Sequence, residues 1–361
     1  MKIIFACGGT GGHIFPAIAI AQAFLKKIKK NIKIFFIGSD TGMEKEIIKK
    51  YKFEFISITA RPFLRKISVK NIINFFLIIK AILNSMKIIK KINPDYIIGT
   101  GGYVSFPIVL SGVLLYKKVF IHEPNIFPGL ANRILGRFVS GITAGFEFTE
   151  KYFSKEKIFI TGNPVRQDIL NVNKNIAIKK LKLKKNKNTI LIMPGSRAAH
   201  SINLMILNSL NDILKELKNL QIIWMTGNKD YKFVKENVKN YKNIKIFKFI
   251  NNVGYAYSAS NAGILRAGAS TLTEIITLKY PAILIPYPYA TGNHQEKNAE
   301  IFKKNSMAIV INERELTKDI LIKNLKLILD NKTNQEIRKK LGKIKMENNA
   351  EKICETILKA G

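Results

Sequence analysis

Short apolar runs alternate with glycine-bearing turns and helical patterns along most of the chain. Lys2-Ile3-Ile4-Phe5-Ala6-Cys7 reads as a buried strand, Gly8-Gly9-Thr10-Gly11-Gly12-His13 follows it directly, and Ile14 to Ile28 carries apolar residues at helical spacing. A second strand spans Lys33 to Ile37 and ends in Gly38-Ser39. The pattern returns at Pro94–Ile98 before Gly99-Thr100-Gly101-Gly102-Tyr103-Val104-Ser105, and at Val119–Ile121 before His122-Glu123-Pro124-Asn125. It returns again at Ile158–Ile160 before Thr161-Gly162-Asn163-Pro164-Val165-Arg166. Continuous apolar strands alternating with helices predict an α/β fold with a parallel, doubly wound sheet, whose ligands collect beyond the carboxyl ends of the strands.

A Lys/Asn-rich stretch breaks the pattern until residue 188, after which the theme restarts. Strands are predicted at Thr189–Met193, Gln221–Met225, Ile244–Phe247, Ala262–Leu265 and between Pro281 and Pro286. The turns Pro194-Gly195-Ser196-Arg197, Arg266–Glu274 and Asn293–Ala299 each open a helix, and the C-terminal tail is helical and lysine-rich. At 361 residues the chain exceeds one ordinary core. Two domains are expected, over residues 1–164 and 165–340, with a last helix at 341–361 packing back on the first.

Composition changes this picture little. Hydrophobic residues make up 47% of the chain, as in globular proteins generally. The formal charge of +35 invites a nucleic-acid reading, but nine of the 60 basic residues are arginine and the lysines lie in nearly every segment. Ile and Asn are abundant too and share A/T-rich codons with Lys, whereas a nucleic-acid footprint would cluster charge on one element. No nucleic-acid partner is expected, although so basic a surface is drawn to anionic lipid or polyphosphate. Two cysteines, Cys7 and Cys354, suggest reduced thiols. No signal peptide is visible, and no segment approaches the roughly 20 apolar residues needed to span a bilayer.

Residues 61–92 stand out. Phe63, Leu64, Ile72, Ile73, Phe75, Phe76, Leu77, Ile78 and Ile79 offer more apolar surface than one buried helix face needs, and Arg61, Arg65, Lys66, Lys70 and Lys80 flank them. Two readings stand: a core helix with solvated lysines, or a surface helix dipping into an anionic leaflet through Phe75, Phe76, Ile79 and Lys80.

The chemistry that recurs is anion recognition. Strand, small-residue turn and helix over Ala262–Leu278 place backbone N–H groups at a helix start, with the guanidinium fork of Arg266 at its entrance and Glu274 about one turn inside. Phosphate donors plus an acceptor for vicinal hydroxyls describe a nucleotide site; a capped helix with a satisfied Arg–Glu pair is the plainer reading. His13, His122, His200 and His294 are too scattered to suggest a metal site, and no nucleophile elbow is present.

Gly8–His13, Gly99–Ser105, His122–Asn125, Gly162–Arg166, Arg266–Glu274 and His294-Gln295-x-x-Asn298-Ala299 occur in that order. Together they strongly resemble the MurG family of UDP-N-acetylglucosamine:lipid I N-acetylglucosaminyltransferases, over roughly residues 1 to 300. The resemblance implies a GT-B fold, with two Rossmann-like domains facing a cleft. It implies inverting transfer of N-acetylglucosamine from UDP-GlcNAc to the C4 hydroxyl of undecaprenyl-linked lipid I, at the cytoplasmic face of the membrane, on its anionic inner leaflet and as a peripheral protein. No cofactor or metal is assigned.

The same resemblance assigns the donor to Thr10, Gly11, Gly12 and Asn125 of the first domain and to Arg166, Ser196, Ile250, Ala269, Ser270, Thr271, Leu272, Thr273, Glu274, Gln295 and Asn298. Among these, Ile250 meets uracil through its backbone, Glu274 the ribose hydroxyls, and Gln295 and Asn298 the sugar. Gly9, Gly101, Gly102 and Tyr103 face the acceptor diphosphate. His13 is the candidate general base, the alternative being that it only orients its loop. The chain departs from the family pattern at Pro194-Gly195-Ser196-Arg197-Ala198-Ala199, at Ala267 and at Asn293. Pro194–Arg197 is similar to lipid A disaccharide synthase, which keeps that transferase as an alternative. UDP-GlcNAc 2-epimerase shares the fold but needs carboxylates near the sugar C2, and a non-enzymatic polyanion binder is the third alternative.

Overall fold

The strand that opens the chain is apolar throughout because both of its faces are covered. Ile3, Phe5 and Cys7 enter one core cluster and Ile4 and Ala6 the other, all at 0% exposure. The computed structural model describes residues 1–28, 31–61, 69–165, 167–195, 200–344 and 349–361, without the side chains of 69–73, 75, 167 and 291. They fall into two compact units, Met1–Val165 with Glu347–Gly361, and Arg166–Met346.

The first unit holds β1 (Lys2–Cys7), β2 (Lys33–Ser39), β3 (Glu54–Ile58), β4 (Tyr96–Gly101), β5 (Lys118–Glu123), β6 (Gly141–Ala144) and β7 (Ile158–Ile160). Their order is β3-β2-β1-β4-β5-β6-β7, every neighbouring pair parallel. The second unit holds β8 (Asn188–Met193), β9 (Leu220–Met225), β10 (Ile244–Phe247), β11 (Ala262–Leu265), β12 (Ala282–Leu284) and β13 (Ile309–Val310), in the parallel order β10-β9-β8-β11-β12-β13. Both are the doubly wound sheets that the alternating pattern predicts. In each, the strand order reverses once, between β1 and β4 and between β8 and β11. Such a switch point parts the connections to opposite faces and leaves a crevice at the strand ends. The glycine loops after β1 and β4, and the turns after β8 and β11, leave the sheets there.

The helix Asn349–Ala360 belongs to the first unit. Its Ile353, Cys354 and Ile357 are buried in the same cluster as Ile3, Phe5, Ile14 and Ile18. Exposed pairs at its rim, Lys26–Glu351 at 2.6 Å and Lys27–Glu355 at 2.7 Å, add little by comparison. At its start Asn349 donates through Nδ2 to the Asn163 carbonyl at 2.6 Å. Cys7 and Cys354 are buried and unbridged.

The helix Val69–Ile92 lies on the surface. Ala81, Ser85 and Ile89 form its buried stripe, while Phe76 is 63% and Leu83 55% exposed, with Ile79 and Lys80 beside them. The core-helix reading therefore covers one face only. Among the described residues, no helix is long and apolar enough to cross a membrane.

The two glycine loops of the first unit meet backbone to backbone. Gly102, at φ +87°, lies so close to Gly8 that an added Cβ would sit 2.1 Å from the Gly8 carbonyl oxygen. Gly101, at φ +104°, leaves room for the His13 ring, 2.6 Å from where its Cβ would be. Gly102→Ala combines a strained φ with a clash against main chain that has no side chain to move aside. Chemical unfolding should find it about 2–4 kcal/mol less stable than the parent. Gly129→Ala, whose Cβ would meet nothing within 4 Å, should stay within about 1 kcal/mol.

Candidate active site

In the first unit the helix Gly11–Lys27 starts directly on the glycine loop. Thr10 is its extended N-cap and makes no side-chain cap bond, so the first turn presents backbone N–H groups at the positive end of the dipole. Thr10 and Gly12 are exposed and Gly9, Gly11 and His13 half-buried. Beneath the loop lies a carboxylate with no exposure, Glu44. Its oxygens accept from Ser39 N at 2.8 Å and, more distantly, Gly9 N at 3.4 Å. Three glycines clear the space it fills: a Cβ on Gly8, Gly38 or Gly42 would lie 2.5, 2.7 or 2.1 Å from it.

His13 Nδ1 lies 3.0 Å from the Thr100 carbonyl, and Thr100 Oγ1 donates in return to the His13 carbonyl at 2.8 Å. A carbonyl only accepts, so Nδ1 carries the proton and the neutral ring keeps its lone pair on Nε2. Burial holds the His13 pKa below 6.5, with the Thr100 bond opposing. His122 has the opposite tautomer. Asn163 donates through Nδ2 to the Pro124 carbonyl at 2.9 Å, which turns its Oδ1 to accept from His122 Nε2 at 3.0 Å, while Thr143 Oγ1 stands 3.0 Å from Nδ1. Buried at 0% exposure and pushed down to about 4 by that burial, His122 is a neutral structural post.

Glu123, 1% exposed, collects donors from the loop that follows β5. Its Oε1 accepts from Asn125 N at 2.9 Å and Asn125 Nδ2 at 3.1 Å, and its Oε2 from Asn132 Nδ2 at 2.8 Å and Gly129 N at 3.1 Å. Burial raises its carboxyl pKa against the pull of these bonds. The bond to Nδ2 fixes the Asn125 amide, which turns its carbonyl oxygen away from Glu123. Gly101, Gly102 and Tyr103 lie in the adjoining loop, the Tyr103 ring 3.6 Å from where a Cβ of Gly9 would be.

In the second unit, Ala269–Thr277 is a helix with Gly268 as an extended N-cap and no side-chain cap bond. Ser270 is exposed, Thr271 and Glu274 half-buried, and Ala269, Leu272 and Thr273 buried. The last three can therefore meet a ligand only through backbone or the rim of a side chain. Tyr257, 3% exposed, donates its hydroxyl to Glu274 Oε2 at 2.8 Å. Gln295 accepts from Tyr287 N at 3.0 Å through Oε1, so its amide N–H₂ is the end directed elsewhere. Asn298, 1% exposed, donates to the Ala267 carbonyl at 3.3 Å and braces the turn from below. Ile250 is buried just ahead of the helix Val253–Ala259.

Arg266 differs from its expected place. It is 4% exposed, and its Nη1 donates to the Ile285 carbonyl at 3.1 Å, to the Pro286 carbonyl at 3.3 Å and to Glu313 in an ion pair, with the Tyr287 ring 5.3 Å away. A guanidinium so buried is stabilised by these acceptors, and the fork expected at a phosphate instead ties strand ends together. Arg266 is thus in an Arg–Glu pair, with Glu313, and Glu274 accepts from Tyr257. Arg166, Ser196 and Arg197 lie outside the described residues, as does the side chain of Phe75. Sequence reasoning assigned no role to Glu44, Glu123, Tyr257 or Glu313. The one usable signal was the set of glycines around Glu44.

Known proteins match this chain from end to end. The model of the glycosyltransferase family 28 N-terminal domain matches residues 3–144, and that of its C-terminal domain residues 189–355. A UDP-N-acetylglucosamine--N-acetylmuramyl-(pentapeptide) pyrophosphoryl-undecaprenol N-acetylglucosamine transferase of Thermoanaerobacter sp. (strain X514) is 40% identical over 364 residues, covering 99% of each chain. The crystal structure of MurG from Acinetobacter baumannii is similar at a TM-score of 0.79 and 26% identity, again over 99% of both chains. UDP-GlcNAc 2-epimerase from Neisseria meningitidis, solved with UDP-GlcNAc, covers 99% of this chain and 100% of its own at a TM-score of 0.67 and 16% identity, a likeness of fold alone. Two parallel-sheet units of this kind make a GT-B fold, and by its matched domains and 40% identical relative the chain belongs to the MurG family, built from the two domains of glycosyltransferase family 28.

Proposed function

We propose that the protein transfers N-acetylglucosamine from UDP-GlcNAc to the C4 hydroxyl of the muramoyl sugar of lipid I, with inversion, forming lipid II. The likeness to a transferase of that name over 99% of both chains carries the reading. It is favoured over 2-epimerisation, which has a shared fold at 16% identity behind it. It is favoured too over lipid A disaccharide synthesis, which rests on Pro194–Arg197.

In this reading residues 1–164 serve the acceptor and the membrane, and residues 165–340 hold the donor. His13 is the general base. Its Nε2 takes the proton of the C4 hydroxyl as that oxygen attacks the sugar C1, and the bond from C1 to the diphosphate oxygen breaks with its electron pair leaving on UDP. The Nδ1 bond to Thr100 aims the ring, and the lowered pKa keeps it unprotonated at neutral pH. Backbone N–H groups at the start of the helix Ala269–Thr277, with Ser270 and Thr271, offset the charge growing on the leaving diphosphate. Glu274 accepts from the ribose, the Ile250 backbone meets the base, and the Gln295 amide N–H₂ donates to a sugar oxygen. Thr10, Gly11, Gly12 and Asn125 complete the donor contacts, Gly9, Gly101, Gly102 and Tyr103 take the acceptor diphosphate, and Arg166 and Ser196 are assigned by family likeness. Asn298 acts by bracing the turn.

We place the protein peripherally on the anionic inner leaflet of the cytoplasmic membrane, without a nucleic-acid partner. The support is the exposed apolar face of the helix Val69–Ile92, bordered by Lys80 and Lys87, in a stretch from residue 61 to 92 that contains no carboxylate.

Supplying UDP-GlcNAc and a lipid I analogue should give acceptor-dependent UDP release, and folded protein that gives none would sink the assignment. His13→Ala should lower kcat about 10²–10⁴-fold while UDP-GlcNAc still binds. In the parent enzyme kcat/KM should fall as pH drops, with the midpoint of that acid limb below 6.5, since protonation removes the base and burial lowers the pKa. Phe76→Ser with Ile79→Ser should weaken binding to phosphatidylglycerol vesicles by about tenfold or more in a sedimentation assay. Unchanged binding would remove this helix from the membrane contact.

A further inference from the structure

The helix Val253–Ala259 begins just after Ile250 and carries Tyr257 near its other end. The Tyr257 ring packs edge-on against Tyr280, centroids 4.9 Å apart, and the Tyr280 hydroxyl is 2.6 Å from Ser260 Oγ. Ring and helix are thus fixed before any ligand arrives, and the Tyr257 hydroxyl is held where it donates to Glu274 Oε2 at 2.8 Å. Glu274 itself is half-buried in the helix Ala269–Thr277. A glutamate side chain has three rotatable bonds and, near solvent, several rotamers; a donor anchored in the core selects one.

We propose that Tyr257 is the positioning residue that sets the nucleotide site's preference for a ribose carrying its vicinal hydroxyls, by locking the Glu274 carboxylate that accepts from them. The inference rests on the reading of Glu274 as the ribose contact. One short helix then couples the two ends of the nucleoside: Ile250 at its entrance meets the base, and Tyr257 orients the acceptor for the sugar. Because a locked carboxylate accepts well only along fixed directions, a nucleotide without those hydroxyls forfeits the bonds and gains nothing from the lock.

Calorimetric titration of the full-length protein with UDP and with 2′,3′-dideoxy-UDP tests this. The variants are Tyr257→Phe, which keeps the ring contact with Tyr280, and Glu274→Gln. The parent should bind UDP at least tenfold tighter than the dideoxy nucleotide. Tyr257→Phe should lose about five- to tenfold in UDP affinity and keep its dideoxy-UDP affinity within twofold, so that the discrimination ratio falls. Glu274→Gln should lower the same ratio further. A loss in Tyr257→Phe shared equally by both nucleotides is what a general loosening of the fold produces, and it overturns the role of Tyr257, as does no loss at all. If Glu274→Gln leaves UDP affinity unchanged, the ribose assignment of Glu274 falls instead, and the two failures are told apart by which variant is silent.

Discussion

The close approach of Gly102 to the Gly8 carbonyl is the constraint on which the first unit's site depends. Because neither residue has a side chain, the loops leaving β1 and β4 touch main chain to main chain at the switch point, where the sheet opens. That contact sets the start of the helix Gly11–Lys27 beside the second loop and brings the Thr100 carbonyl within reach of His13. A side chain on Gly102 would part the loops, and the tautomer of His13 would lose the acceptor that defines it. Positive φ at Gly101 and Gly102 is thus the local cost of an imidazole whose free nitrogen has a fixed direction.

Around both sites, buried and half-buried charged and polar groups act on backbone and on other side chains. Glu44 and Glu123 lie under their loops and gather N–H donors, Asn163 aligns His122 and Pro124, and Glu313 receives Arg266 and, through its other oxygen, Ser201 Oγ at 2.7 Å. Each is costly to desolvate and stable only when its partners are all in place. Such groups make the loops all-or-none in conformation, which suits a site whose donors must point the same way before the substrate enters.

The fold was legible because its strands are buried on both faces, so β1 and β4 appear as apolar runs that lead straight into glycine, and β8 as one that leads into Pro194-Gly195. The loops were legible for a related reason: Gly101 and Gly102 adopt backbone angles that other residues avoid. The partners of Arg266 were hidden. In sequence it stands just before the turn and Glu274, while the carboxylate it pairs with lies 47 residues on, in a stretch with no pattern of its own. Tyr257 was hidden likewise, since an aromatic in a short helix looks like core until its hydroxyl is seen on Glu274. For the helix Val69–Ile92, the excess of apolar residues was plain but the covered stripe was not. That stripe depends on small residues, Ala81 and Ser85, and on Ser111 of the neighbouring helix Ser105–Leu114, whose hydroxyl bonds the Ile82 carbonyl at 2.9 Å.

The helix Asn349–Ala360 gives the molecule an order of assembly. Ile353, Cys354 and Ile357 fill a core laid down by Ile3, Phe5 and Ile14, so the first unit is completed by a helix that follows the whole of the second in the chain. The stretch Arg166–Met346 is continuous in sequence and can close while the earlier strands still expose an apolar groove along the helix Gly11–Lys27. Until that helix is in place, the first unit lacks part of its own core. Truncation ahead of Asn349 would therefore injure the first unit rather than the second.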